Sequence, residues 1–588
     1  MPQSYSQIWN LDTFFSGGSS SSALLQALKE LQNEIAHLRQ GIASFSLPSL
    51  ISSLQKLDEE CHELESFIAC LLAQNTKDQQ AVQLQSQIAT LRAAYENVSS
   101  QLDEALAHLP EETFRQLITD DRLSALAFCL QEKRTWQKKK IPLNQEKLVH
   151  QLWIDGYQGW NDLYGTLIGS MRISVSDPNI SSQSSLSIGQ AENRLFHPDR
   201  TIRQTIFQAW EQAWASQEEI FAQILNHLSG FRLNLYEARG WTSVLAEPLF
   251  CNRMQEDTLT AMWESIEAHK GCLQRYLEKK ASLQGTEKLA WFDVESPLST
   301  NDLPFIPFQE AAEIIIRQFN RFSPNMGAFA KRAFEEQWIE AEDRPGKRPG
   351  GFCTHFPQSR QSRIFMTYSG TMNNVFTLAH ELGHAYHNAI IDPLPRFAQH
   401  YRMNVAETAS TLAEMAVIDA MIEEAQKPEV RKVLLNYKVQ RSVLFLMNIH
   451  ARFLFELRFY EERKKGFVLA STLNHLMEEA QQEAFCQTLS QGHPHFWASK
   501  QHFYATDVPF YNFPYTFGYL FSLGLYARLR EKGPRAPSIY EDLLFDTGRM
   551  TTEELAQKHL QVDLRKPIFW EQALELIEKD IQDILLLI

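Results

Sequence analysis

The chain has 588 residues and a mass of 67.9 kDa, with 44% hydrophobic and 22% charged positions and only 24 Gly and 23 Pro. It reads as a soluble globular protein with a large core, which excludes disordered, collagenous and small disulfide- or metal-stapled classes. Lys and Arg total 56 against 71 Asp and Glu, a formal charge of −15, opposite in sign to the footprint of a phosphate-backbone binder, so nucleic acid is not an expected partner.

In chain order, residues 1–22 end in the run GGSSSS, after which Leu24, Leu28, Leu31, Ile35, Leu38 and Ile42 recur at alternating spacings of four and three. That periodicity predicts an amphipathic helix with a coiled-coil-like seam. It returns from Leu57 to Leu71 and from Leu84 to Leu102, with Pro48 and Gln74-Asn75-Thr76 as breaks, so a bundle of three antiparallel helices is expected over 1–110. Within the second stripe His62-Glu63 is followed by Ser66 where a second metal-binding His would stand, and it reads as a solvated helix face. The serine-rich stretch from Ser174 to Ser187 predicts a turn or short β excursion and marks a boundary, giving segments 1–110, 111–195 and 196–588. Beyond His197-Pro198-Asp199, amphipathic stretches such as Ile202 to Trp214 and Asp257 to Leu283 predict that the rest is mostly helical as well.

The loop Arg344 to Gly351 leads to Arg363-Ile364-Phe365-Met366-Thr367-Tyr368, rich in strand formers, which predicts a small sheet. An exposed strand edge there would pair with an extended backbone, making Gly350, Gly351 and Tyr368 candidate binding residues. Seven cysteines lack any C-x-x-C spacing, no apolar run reaches 18 residues, and the amino terminus has no leader pattern. The expectation is a cytoplasmic setting without disulfides or a membrane partner.

Residues 375–388 contain H-E-x-x-H. On a helix His380 and His384 project side by side and can reach one Zn²⁺, while Glu381 stands ready to take a proton from a water that the ion polarises. The five-residue string recurs by chance, so its surroundings carry the specificity. A metzincin would need His and Gly where Ile390 and His387 stand, which excludes that class. The stretch from Asn404 to Glu414 reads as a second helix offering Glu407 as third ligand from an Ala-lined face, with Glu414 as a partner that orients a ligating His. His387 reads as a pocket-lining neighbour. His493-Pro494-His495 lacks acidic or thiol neighbours in sequence and reads as a loop with two ordinary histidines.

The phrase from Gly350 to His387 followed by AETAS with Glu407, the opening Trp9-Asn10-Leu11-Asp12 before GGSSSS, and His502-Phe503-Tyr504 ahead of a tyrosine-rich run together resemble the oligoendopeptidase F branch of the M3 (thimet oligopeptidase-like) metallopeptidases over nearly the whole chain. The resemblance implies a mainly α, two-lobed zincin with a small β-sheet beside the active-site helix and an enclosed substrate channel. It implies one Zn²⁺ per chain and cleavage of internal bonds in short unstructured oligopeptides, with Glu381 as general base. It also directs attention to His502, Tyr511, Tyr515 and Tyr519 as donors to the oxyanion. Phe513 and Phe517 depart from the family, standing where tyrosine or small polar residues are frequent. A catalytically idle peptide-binding scaffold would be expected to have a degraded zinc set, and a carboxypeptidase-like hydrolase is a third possibility. Bond preference and oligomeric state are left open by the sequence.

Overall fold

Side-chain caps set the first three helices. In the computed structural model, which describes residues 4–175, 184–298 and 305–588, helix α1 (Ser22–Gly41) starts under Ser21, whose hydroxyl accepts from the Leu24 amide. Helix α2 (Leu47–Gln74) starts under Ser46, and α3 (Gln79–His108) under Asp78, whose carboxylate accepts from the Ala81 amide. The periodic stripes of all three, from Leu24 through Leu38, Leu57 through Leu71 and Leu84 through Leu102, lie in one hydrophobic cluster. The break between the first two stripes falls just ahead of Pro48, between Gly41 and Leu47. Pro48 itself sits in the first turn of α2, where a missing N–H leaves no helical bond unmade.

His62-Glu63 is not a solvated face either. Glu63 is 4% exposed and accepts from the Gln358 amide and the Ser359 hydroxyl, while Ser66 donates to the carbonyl of His355. A helical face that looks polar in sequence is thus a docking surface for the strand pair, something periodicity alone does not reveal.

Strands β1 (Ile339–Glu340), β2 (Phe352–Phe356) and β3 (Gln361–Phe365) form a sheet of order β1-β3-β2. β3 runs parallel to β1, with Ile339 opposite Ile364, and antiparallel to β2, with Thr354 opposite Arg363. The strand that carries Arg363 is therefore central, with ladders on both sides, and cannot be the exposed edge; β2, which follows Gly350-Gly351, has a ladder on one side only. Phe356 and Phe365 join the helical cluster. Beyond the sheet run α4 (Met372–Ile391) and α5 (Met403–Glu424).

The chain divides into two compact units, each assembled from three stretches. Everything above falls in the first, formed by Met1–Lys140, Leu303–Glu423 and Arg528–Gln561, apart from the last residue of α5. The second comprises Ile141–Asp302, Glu424–Ala527 and Val562–Ile588. In it Ile173–Val175 pairs antiparallel with Ser184–Leu186, and the rest of the serine-rich stretch lies outside the described residues. Asp199 caps the helix Arg200–Ala215 by accepting from the Thr201 amide. The helix Glu256–Leu283 packs against Pro567–Leu585, and α6 (Ile449–Arg463) packs against Ala470–Ala484.

His493 and His495 are not ordinary loop histidines. Both are buried, His493 pairs with Glu211, and His495 bonds Glu211 at 2.6 Å and Glu218 at 2.9 Å. Their acidic neighbours come from helices nearly 300 residues earlier, so local sequence could not show them. None of the seven cysteines is in a disulfide, and no described helix is long and apolar enough to cross a membrane.

Candidate metal centre and active site

Helix α4 begins with a reciprocal cap, the Thr371 hydroxyl accepting from the Asn374 amide and the Asn374 side chain accepting from the Thr371 amide. Val375, Leu378, Ala379 and Leu382 are fully buried, so this stripe fixes the rotation of the helix. His380 and His384, one turn apart, have ring centroids separated by 4.9 Å.

Gly383 lets α5 approach. A Cβ there would lie 2.7 Å from the Ala409 carbonyl oxygen and the Ser410 Cα, and 2.9 Å from the Ala413 Cβ. At this close crossing Glu407 Oε2 stands 3.2 Å from His380 Nε2 and 3.6 Å from His384 Nε2. The Ser410 hydroxyl donates to the same carboxylate oxygen at 2.8 Å. Glu414, 2% exposed, places Oε2 3.2 Å from His380 Nδ1. Gly383→Ala is expected to cost a net ~1–2 kcal/mol, because overpacking against rigid backbone outweighs the gain in helix propensity. It should also weaken metal binding by moving Glu407. Denaturant unfolding and a metal titration of the same variant check both.

His380, His384 and Glu407 each offer one ligand atom within 4.8 Å of the others, and among the described residues they form the one such group of three. Each side chain keeps about a fifth of its surface exposed, at 21%, 19% and 24%. Two imidazoles and a carboxylate, partly open on one side, are the donor set of a zinc site with a free position.

An ionised Glu407 and a neutral His384 suit a metal, whereas His380 carries a proton. Burial opposes charge on His380, but hydrogen bonds to Glu407 and Glu414 hold it up at about 10. Burial and the neighbouring His380 push His384 down to about 4. Burial works against the Glu407 carboxylate, yet His380 and His384 bring it down to about 2. A cation seated here must therefore displace the His380 proton. Glu381 is 8% exposed and burial pushes it up to about 7, against the pull of His380 and with the help of Glu407 and Glu414.

Gly350 has φ of 91°, in the region glycine favours. Gly351 passes so close that a Cβ would lie 3.7 Å from Glu381 Oε1, which puts the start of β2 beside that carboxylate. Two other candidates are committed elsewhere. Tyr368 is 5% exposed, and its hydroxyl donates to the Ile306 carbonyl at 2.8 Å. His387 is fully buried, its Nε2 lies 2.8 Å from the Thr547 hydroxyl and its ring stacks on Tyr401.

In the second unit His502 stacks on Tyr511 with ring centroids 4.7 Å apart, and Tyr515 meets the His502 ring at 6.1 Å. Tyr519 stands apart from them, 6% exposed and hydrogen-bonded to Ser442 at 2.8 Å. The sequence reading missed Gly383, whose signal is the small residue inside the motif facing the Ala-rich helix.

A model of peptidase family M3 matches residues 195–576, and a model described as oligopeptidase F matches 106–173. The chain belongs to peptidase family M3. This M3 chain is 25% identical over 408 residues to an oligoendopeptidase F homolog of Lactococcus lactis subsp. lactis (strain IL1403), covering 68% of the chain and 66% of that relative, just under two thirds of its length. A crystallised protein from Chlamydophila abortus shares its fold with a TM-score of 0.83 at 19% identity, over 99% of this chain and 98% of the other. The crystal structure of oligoendopeptidase-F from Enterococcus faecium does so at 0.69 and 18% identity, over 96% and 97%. The mainly helical fold with small sheets is thus that of these structures.

Proposed function

We propose that this M3 chain is a zinc-dependent endopeptidase that hydrolyses internal bonds of short unstructured oligopeptides. The observation that carries the reading is the convergence of His380, His384 and Glu407 beside Glu381. Family membership and the name of the Lactococcus relative support the substrate class. His380, His384 and Glu407 would hold one Zn²⁺, with Glu414 fixing the His380 ring through Nδ1. When bound, the ion polarises the scissile carbonyl and makes water more acidic.

The chain's own groups do the rest. Glu381 accepts a proton from the attacking water as its oxygen bonds to the carbonyl carbon, then passes that proton to the leaving nitrogen as the C–N bond breaks. His502, Tyr511 and Tyr515, part-exposed hydrogen-bond donors, are assigned to the substrate carbonyl and its oxyanion. Gly350, Gly351 and the one-sided edge of β2 are assigned to the extended peptide backbone. Tyr519, Tyr368 and His387 are left out because of their existing partners. Seven cysteines without a disulfide support a cytoplasmic location. The two family matches support treating 111–195 and 196–588 as separate sequence segments after a helical 1–110.

An internally quenched peptide blocked at both ends tests the reading. Mass mapping should find a cut at an internal bond, whereas removal of single residues only, or no cleavage, would overturn it. A peptide must be extended to pair along a strand edge. The same bond placed inside a stable folded domain is therefore expected to survive an incubation that consumes the free peptide, as followed by mass spectrometry.

A further inference from the structure

Of the His and Tyr residues between 502 and 519, His502, Tyr511 and Tyr515 keep part of their surface exposed, while Tyr504 and Tyr519 are buried. Behind the exposed three lies Arg452 on α6, only 7% exposed. Its Nε donates to Asn448 Oδ1 at 2.9 Å, and its Nη1 donates to Asn512 Oδ1 at 3.0 Å and faces His502 Nδ1 at 3.4 Å. The guanidinium rests 5.0 Å over the Phe496 ring. Among the described residues no carboxylate forms an ion pair with it. A buried cation without a direct ion pair is costly to hold, so what it touches is where a role for it is to be sought.

The chemistry of the contact names one. Arginine has only donors, so a hydrogen bond to His502 Nδ1 requires that nitrogen to carry its lone pair, and a neutral imidazole then holds its proton on Nε2. His502 Nε2 has no protein partner among the described residues. We propose that Arg452 is a positioning residue that fixes His502 as the neutral Nε2–H tautomer, ready to donate to a carbonyl oxygen of the substrate. This rests on the donor role of His502 in the proposed function.

The surroundings support it. Burial, then Arg452, then Lys500 push His502 down to about 4. The groups around the ring are Arg452 from α6, Lys500 just before it in the chain, and the rings of Tyr511 and Tyr515. The nearby carboxylates serve the cations and not the imidazole: Glu192 pairs with Lys500 at 3.1 Å, and Glu295 acts on Arg452 and Lys500 from a distance. Tyr511 stacking on one face holds the ring against rotation. The tautomer is thus set by one arginine, which Asn448 and Asn512 hold in turn.

Histidine signals of the full-length enzyme, ¹³C-labelled at Cδ2 and Cε1 and assigned with His502→Gln, test this directly. In the parent enzyme His502 is expected to show the Nε2–H tautomer and no protonation between pH 5.5 and 8. In Arg452→Met the His502 signals should titrate at a higher pH than in the parent, short of the ordinary value because burial and Lys500 remain, and the Nε2–H preference should be lost. Arg452→Lys, which keeps the cation, should return the His502 titration most of the way to that of the parent. An Nδ1–H tautomer or an ordinary titration in the parent enzyme overturns the proposal whether or not the variants fold. Expected NMR behaviour together with full activity of His502→Gln would leave the Arg452 assignment standing and remove the donor role from His502.

Discussion

Glu381→Gln should bind zinc at one ion per chain, fold as stably as the parent and lose about 10²- to 10⁴-fold in kcat, the usual contribution of a positioned general base. The substitution keeps the volume and removes the proton acceptor. Glu381 is buried without a hydrogen bond or ion pair to another described residue, and burial already disfavours its charge. Replacing it with a neutral amide therefore breaks no hydrogen bond or ion pair, and stability should be unchanged or slightly raised, a pattern common where a site is built for chemistry at a cost in stability. Steady-state kinetics with a quenched peptide, metal content and thermal unfolding of the same preparation check all three. A near-parental kcat would mean that the proton goes elsewhere.

Glu407→Ala should fail differently. It deletes one of three ligands, takes from the Ser410 hydroxyl its carboxylate acceptor, and leaves His380 and His384 without the group that draws them together. Zinc affinity should drop by at least ~10²-fold, because loss of a ligand exceeds the 10- to 100-fold typical for loss of an outer partner. Glu414→Gln removes such an outer partner and should fall within that smaller range. Competition against a chromophoric chelator ranks the variants. The expected order of affinity is parent and Glu381→Gln together, then Glu414→Gln, then Glu407→Ala. Equal affinity of Glu407→Ala and the parent would remove Glu407 from the ligand set.

The contrast between these variants reflects how the site is written in the chain. His380, Glu381 and His384 are legible from spacing alone, because helix geometry converts a four-residue interval into a shared face. The helical stripes from Leu24 to Leu102 are legible for the same reason, and they pack as one cluster. Less legible is anything that depends on a partner distant in sequence. The acids that hold His493 and His495 lie on other helices, the Glu63 face is covered by Gln358 and Ser359, and β3 is central because β1 arrives from upstream to pair with it. Tyr519 reads like Tyr511 and Tyr515 in sequence, and its burial and its bond to Ser442 distinguish it. Arg452 has no signature at all, since its value lies in what it touches.

A zinc titration of the metal-stripped enzyme, read out with an end-blocked internally quenched peptide, bears most directly on the central claim. Activity should be absent without metal, rise in proportion to added zinc, level off at one ion per chain and vanish again with chelator, with products that place the cut at an internal bond. Full cleavage by enzyme holding well under one zinc per chain, or activity indifferent to chelation, would contradict it.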